Sequence, residues 1–137
     1  MLTLALATAA ILLSAVGAQA NPARDAIVAG FVAQAKAENP GFDGFSATRG
    51  EIFFKANQVG GKPETPSCTS CHGATPFTPG QTRAGKVIDP MAVSKTQDRY
   101  TDPKKVDKWF RRNCNSVLGR ECTAEEKGDY LTFMISR

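Results

Sequence analysis

Residues 68–72 read Cys68-Thr69-Ser70-Cys71-His72, the C-x-x-C-H pattern of a c-type haem attachment site. Two thiols three positions apart in a tight turn reach the two vinyl groups of one porphyrin. A histidine directly after the second thiol then falls under the iron as proximal ligand. Two other readings compete. A redox-active C-x-x-C pair sits at the start of a helix that follows a strand, and no strand pattern precedes Cys68. A zinc site needs four ligands; the other thiols are Cys114 and Cys122, and His72 is the sole histidine. The reading carried forward is one covalent haem c, attached through Cys68 and Cys71 and ligated by His72.

The sequence around this motif is irregular. Residues 60–102 are rich in Gly, Pro, Thr and Ser and show no sustained period of 2 or 3.6. So long a structureless stretch in a small domain marks a functional loop or a chain wrapped around something that is not protein. Helix signals flank it on both sides. Asn21-Pro22 is a cap followed by proline at the first helical position, and Ile27, Phe31, Gln34 or Ala35, and Glu38 continue at helical spacing, which predicts a helix over 22–38 stopped by Asn39-Pro40-Gly41. A second helix is expected from Ser46 through Gly50, Ile52, Phe53 and Phe54 to about Asn57. Asp102-Pro103 restarts a helix with Val106, Trp109, Phe110, Asn113 and Val117 along one stripe, and Gly119 ends it. Thr123-Ala124-Glu125-Glu126 is a capping box that opens a last helix, with Lys127, Tyr130, Leu131 and Met134 on one face. No repeat and no strand pattern is present, so the expected fold is all-α with long loops.

A chain of 137 residues is one domain, too short for a two-domain enzyme with its own nucleotide fold. With 42% hydrophobic and 22% charged residues it is globular rather than disordered. The net charge of +4 falls well short of a nucleic-acid binder's. The first 20 residues carry no charge. Leu2 to Val16 is almost wholly apolar, and Gly17-Ala18-Gln19-Ala20 ends in an A-x-A cleavage signature. This reads as a secretory signal peptide over residues 1–20, cut after Ala20, although its start lacks the usual Lys or Arg. The alternative, an uncleaved anchor, needs about 20 apolar residues to span a bilayer. Cleavage leaves a haem domain over 21–137, exported to the periplasm and free of the membrane. In an oxidising compartment Cys114 and Cys122 are expected to join the end of one helix to the start of the next, the alternative being two free thiols.

The far side of the iron is less determined. With His72 the sole histidine, bis-histidine ligation within the chain is excluded. Met91 and Met134 are the methionines after the leader, one close behind the haem motif and the other on a helical stripe where a thioether is more often core filler. Asn113 is unusual: a buried amide without a partner costs roughly 1–3 kcal/mol, so it requires a hydrogen bond, a water or a metal. Lys104, Lys105, Lys108, Arg111 and Arg112 share its helix, either as a solvated face or as a patch that steers an acidic electron donor.

Gly50 with Phe53 and Phe54, and Gly128 with Tyr130 and Leu131, resemble the crossed first and last helices of class I c-type cytochromes. More specifically, Cys68 to His72, Arg99-Tyr100-Thr101-Asp102, Lys108-Trp109-Phe110, Arg112-Asn113-Cys114 and Gly119-Arg120-Glu121-Cys122-Thr123 resemble the sphaeroides haem protein family of periplasmic cytochromes c. The resemblance runs from about Gly44 to the end. It implies that His72 and Asn113 hold the iron and that Cys114 and Cys122 are paired. A related group with histidine in place of Asn113 is excluded. It further implies that reduction releases the asparagine and lets O₂ or NO bind, and that a dihaem cytochrome c or a membrane cytochrome b donates the electrons. CO is expected to bind as the other diatomic gases do. Two alternatives remain: an electron carrier with methionine as sixth ligand, and a small haem oxidase or reductase, for which no second histidine is at hand as an acid or base.

Overall fold

The computed structural model describes residues 20–137; the leader read over residues 1–20 lies outside them except for Ala20. Five helices and one short hairpin follow in chain order: α1 (Pro22–Glu38), α2 (Ala47–Lys55), α3 (Thr69–His72), β1 (Gly80–Gln81), β2 (Val87–Ile88), α4 (Pro103–Leu118) and α5 (Ala124–Ile135). The four long helices begin where side-chain oxygens can accept the free N–H groups of a first turn. Asn21 accepts from Ala23 and Arg24, Ser46 from Arg49, and Asp102 from Lys104 and Lys105. Thr123 and Glu126 close the capping box reciprocally. Gly119 ends α4 in the left-handed region at φ 70°, a conformation that disfavours a Cβ.

α5 is the central element. Gly50 of α2 crosses it so closely that a Cβ there would overlap the Asp129 carbonyl. This is the close approach expected of the two helices. The second glycine works differently: Gly128 makes room for the ring of Phe45, which precedes α2, rather than for α2 itself. Asp129 fastens the crossing, accepting from Ser46 N at 2.6 Å and from Arg49 Nε at 2.7 Å. α1 packs on α5 as well, and Glu38 at its end accepts the Ala124 N–H at 2.9 Å. Phe31, Phe110, Tyr130, Phe54 and Phe133 then run through the core as successive ring contacts of 5.5–6.2 Å.

Several expectations change. α2 ends at Lys55, two residues early, where the chain turns extended at Ala56. Residues 60–102 contain a two-residue antiparallel ladder, Gly80 opposite Ile88 and Gln81 opposite Val87, too short to leave a period in the sequence. On α1 the buried position is Ala35, not Gln34, and the stripe extends back to Arg24. On α4 the buried stripe is Val106, Phe110, Cys114, Val117 and Leu118; Trp109 lies off it and is 51% exposed. The cause is rotational. Phe110 and Cys114 centre the buried arc, which puts Asn113 at its edge and Trp109 beyond it. Among the described residues no helix is long and apolar enough to cross a membrane.

Candidate functional site

α3 is a single turn that holds the haem motif. His72 N–H donates to Cys68 O at 3.1 Å, so both thiols and the imidazole project from one compact loop of backbone. Strand β1 supports it from behind. A Cβ on Gly80 would overlap the Cys71 carbonyl and crowd His72 Cα, so only glycine permits this packing. Cys68 and Cys71 are half-buried and not joined to each other. Burial pushes the Cys68 thiol up to about 11, so it stays protonated at neutral pH, unlike the low-pKa thiol of a dithiol oxidoreductase.

His72 is directed towards α4. Asn113 Nδ2 lies 3.4 Å from His72 Nε2, although the two residues are 41 positions apart. Burial, aided by the Arg99 charge, lowers the imidazole to about 4, so it is neutral and its ring lone pair is available to a metal. Among the described residues His72 Nδ1 is the one buried side-chain polar atom without a hydrogen-bond partner.

Asn113 is half-buried at the last turns of α4, and its neighbours fix that helix end. Cys114 and Cys122 form a disulfide with Cα atoms 5.6 Å apart. Lys62 N–H donates to Ser116 O at 2.7 Å and Thr65 Oγ1 meets Ser116 Oγ at 2.9 Å, tying the loop before the haem motif onto α4. With Cys114 and Cys122 paired, they cannot join Cys68, Cys71 and His72 as zinc ligands. Met134 is fully buried in the core and Met91 is buried in the same cluster. The group facing His72 Nε2 within hydrogen-bond range is an amide.

Three further residues shape the site, and residue-by-residue reading gave them no role. Arg99 donates Nε to Pro90 O at 2.8 Å and Nη2 to Asp89 O at 2.5 Å, holding the loop after the hairpin while its charge acts on His72. Arg24, 2% exposed, donates to the carbonyls of Gln97 and Arg99 and so braces the same loop from α1. Tyr100 takes a left-handed backbone, φ 62°, uncommon for a bulky side chain. Its hydroxyl donates to Met91 O at 3.0 Å, and burial raises its pKa. The one sequence signal for Arg24 was its position in line with Phe31 and Ala35 on an otherwise apolar stripe.

Comparison with known proteins identifies the family. A family model described as a domain of unknown function, DUF1924, matches residues 40–134. The cytochrome c-type protein SHP of Cereibacter sphaeroides is 47% identical over 123 residues, 90% of this chain and 89% of that protein. The chain belongs to the SHP family of c-type cytochromes. Cytochrome c'' of Methylophilus methylotrophus is 32% identical over 103 residues, 74% of this chain and 72% of that protein. Oxidised SHP, described as an oxygen-binding cytochrome c, superposes with a TM-score of 0.74 at 48% identity, covering 83% of this chain and 96% of that one. Oxidised cytochrome c'' superposes at 0.70 with 30% identity, covering 84% and 94%. A solution structure of cytochrome c'' bears on the structural basis of haem-ligand detachment in that protein. As a c-type cytochrome, this SHP-family chain has covalent haem c as its cofactor. Its donor set fits that group: two thiols and a neutral imidazole on one turn, faced by an uncharged amide.

Proposed function

We propose that this chain is an exported haem c protein that takes up an electron and, once reduced, binds O₂ or NO. The observation that carries the reading is the approach of the Asn113 amide to His72 Nε2 at 3.4 Å. In this reading Cys68 and Cys71 would hold the haem by thioether links, and His72 and Asn113 would hold its iron. Bound haem c supplies an iron that cycles between ferric and ferrous states and, when ferrous, holds diatomic ligands.

The amide oxygen of Asn113 is a hard, neutral, weak donor. It suits ferric iron, and loses to softer or π-accepting partners on ferrous iron. With haem c bound, Asn113 would be the ligand that gives way on reduction, and O₂, NO or CO could then take its place. A half-turn of the freed amide presents either its carbonyl or its N–H, and the N–H has a hydrogen bond to offer a diatomic ligand. The relative described as an oxygen-binding cytochrome c supports this reading. Burial favours the neutral imidazole of His72, the form that would hold an iron. The Cys114–Cys122 disulfide suits an oxidising periplasm reached by cleavage after Ala20. The electron donor in this reading is another cytochrome, a dihaem cytochrome c or a membrane cytochrome b.

Optical spectra of the holoprotein, residues 21–137, test the ligand switch. The ferric form is expected to be low-spin, the dithionite-reduced form high-spin, and the reduced form to bind CO at once. Asn113→Ala should be high-spin in both oxidation states. A sharp low-spin ferrous spectrum unchanged by CO would sink the reading in favour of a methionine-ligated electron carrier.

A further inference from the structure

α4 has a charge distribution unlike the rest of the molecule. It carries Lys104, Lys105, Lys108, Arg111 and Arg112 against one carboxylate, Asp107. That excess equals the +4 of the whole chain, so the twelve basic and twelve acidic residues elsewhere cancel. Elsewhere five of the twelve cations are ion-paired: Arg49 with Asp129, Lys55 and Arg137 with Glu51, Arg83 with Glu64, and Arg120 with Glu126. Among the described residues none of the five cations of α4 has an ion-pair partner within 4.0 Å, and all five are exposed.

This arrangement works against the helix itself. Lys104 and Lys105 stand in the first turn, where the helix dipole disfavours cations. Lys104, Lys108 and Arg112 follow one another at four-residue spacing, where like charges repel. In their midst Trp109 is half-exposed, with Lys108 Nζ and the Arg112 guanidinium each 5.5 Å from its ring centroid. An aromatic anchor ringed by cations is the composition of an interface centre, where Trp and Arg dominate binding energy. Trp109 is also one helical turn from Asn113, whose amide faces His72.

We propose that the outer face of α4 is the docking surface for an acidic redox protein that delivers one electron at the Asn113 side of the site. The proposal rests on the haem assignment above. The partner's reduced centre loses one electron and the ferric haem gains it; no bond forms between the two proteins. An anionic membrane would also be attracted by five cations. A redox protein is favoured because the charge is concentrated beside the group that faces His72, and transfer over a short path requires the donor there.

Flavodoxin hydroquinone, an acidic one-electron donor, serves as the probe, with stopped-flow reduction of the ferric holoprotein as the readout. The wild-type second-order rate constant should fall about tenfold between roughly 10 mM and 200 mM salt, as steered encounters do. Lys108→Glu/Arg112→Glu should lower the low-salt rate by about tenfold and flatten the salt dependence, with its ferric absorption and circular dichroism unchanged as proof of folding. Lys36→Glu on α1 should leave the rate at the wild-type value. Equal low-salt rates for the wild type and the double variant would overturn the proposal, as would an equal loss in Lys36→Glu. Capture by phosphatidylglycerol vesicles together with a salt-independent flavodoxin rate would assign the face to a membrane instead. Absence of a haem spectrum from purified protein would strike at the haem assignment, not at the surface.

Discussion

Two walls face each other across the candidate site, and they are built in opposite ways. The Cys68–His72 wall is contiguous: five residues, one turn, both thiols and the imidazole positioned by their own backbone, with Gly80 packed behind. The α4 wall is composite. Asn113 is placed by Asp102 at one helix end, by Gly119 and the disulfide at the other, and by the loop that Lys62 and Thr65 fasten to Ser116. Local geometry makes the first wall resistant to change elsewhere in the molecule. The second depends on many separate supports, which suits a ligand that is proposed to come and go.

The largest expected effect tests whether the first wall is as self-contained as it looks. Gly80→Val should cost about 3 kcal/mol, the upper range for overpacking, because its Cβ would enter the Cys71 carbonyl. Urea denaturation of the holoprotein measures it. A loss below about 0.5 kcal/mol, ordinary for a surface change, would mean that β1 does not support the turn.

The second wall is tested at its covalent support. Removing both cysteines, Cys114→Ser with Cys122→Ser, opens a loop of sequence separation 8 and should cost about 2.5 kcal/mol on the chain-entropy account. The same variant should keep its haem and show more high-spin ferric signal, since Asn113 is adjacent to Cys114. A ferric spectrum identical to wild type would show that the loop contacts alone position Asn113. At the other end of α4, Asp102→Ala removes the cap on Lys104 and Lys105 and should cost about 1 kcal/mol, with a small rise in the same signal.

The smallest effect concerns the start of α5, just beyond the disulfide. Burial pushes the Glu126 carboxyl up, but hydrogen bonds from Arg120 and Thr123 outweigh it and hold the pKa below its ordinary value. A carboxyl whose folded pKa is depressed adds stability that is complete above its unfolded pKa of about 4.3 and is lost as pH falls through the folded value. Glu126→Gln should thus cost up to about 1 kcal/mol at pH 7, given its partial exposure, and nothing at the acid end. Denaturation midpoints of the pair across pH 2.5–7, about the carboxylate range, should converge as pH falls; parallel curves would assign the loss to packing.

Much of this architecture was legible residue by residue. Asn21-Pro22, Asp102-Pro103 and Thr123 with Glu126 marked three helix starts because capping is a contact between near neighbours in the chain. Gly50 marked the close crossing with α5 because no other residue tolerates it. The two-residue hairpin, the outward rotation of Trp109 and the buried guanidinium of Arg24 were not legible. Each depends on which partner an element meets, and periodicity contains no information about partners.

The sequence by itself determined the chemistry of the first wall: C-x-x-C-H places two thiols and an imidazole on one turn wherever that turn is folded. It also set the four long helices and, through a single histidine, excluded a second imidazole ligand. The family resemblance points to Asn113, but only the tertiary structure brings its amide opposite His72. An asparagine on a half-apolar stripe has several ways to satisfy its amide, and 41 residues of chain separate it from the imidazole. The choice among them is made by long-range contacts: the Phe110 ring on Tyr130, the disulfide, and the Gly60–Gly61 loop against the end of α4. Those contacts lie far apart along the chain, so no local pattern encodes them.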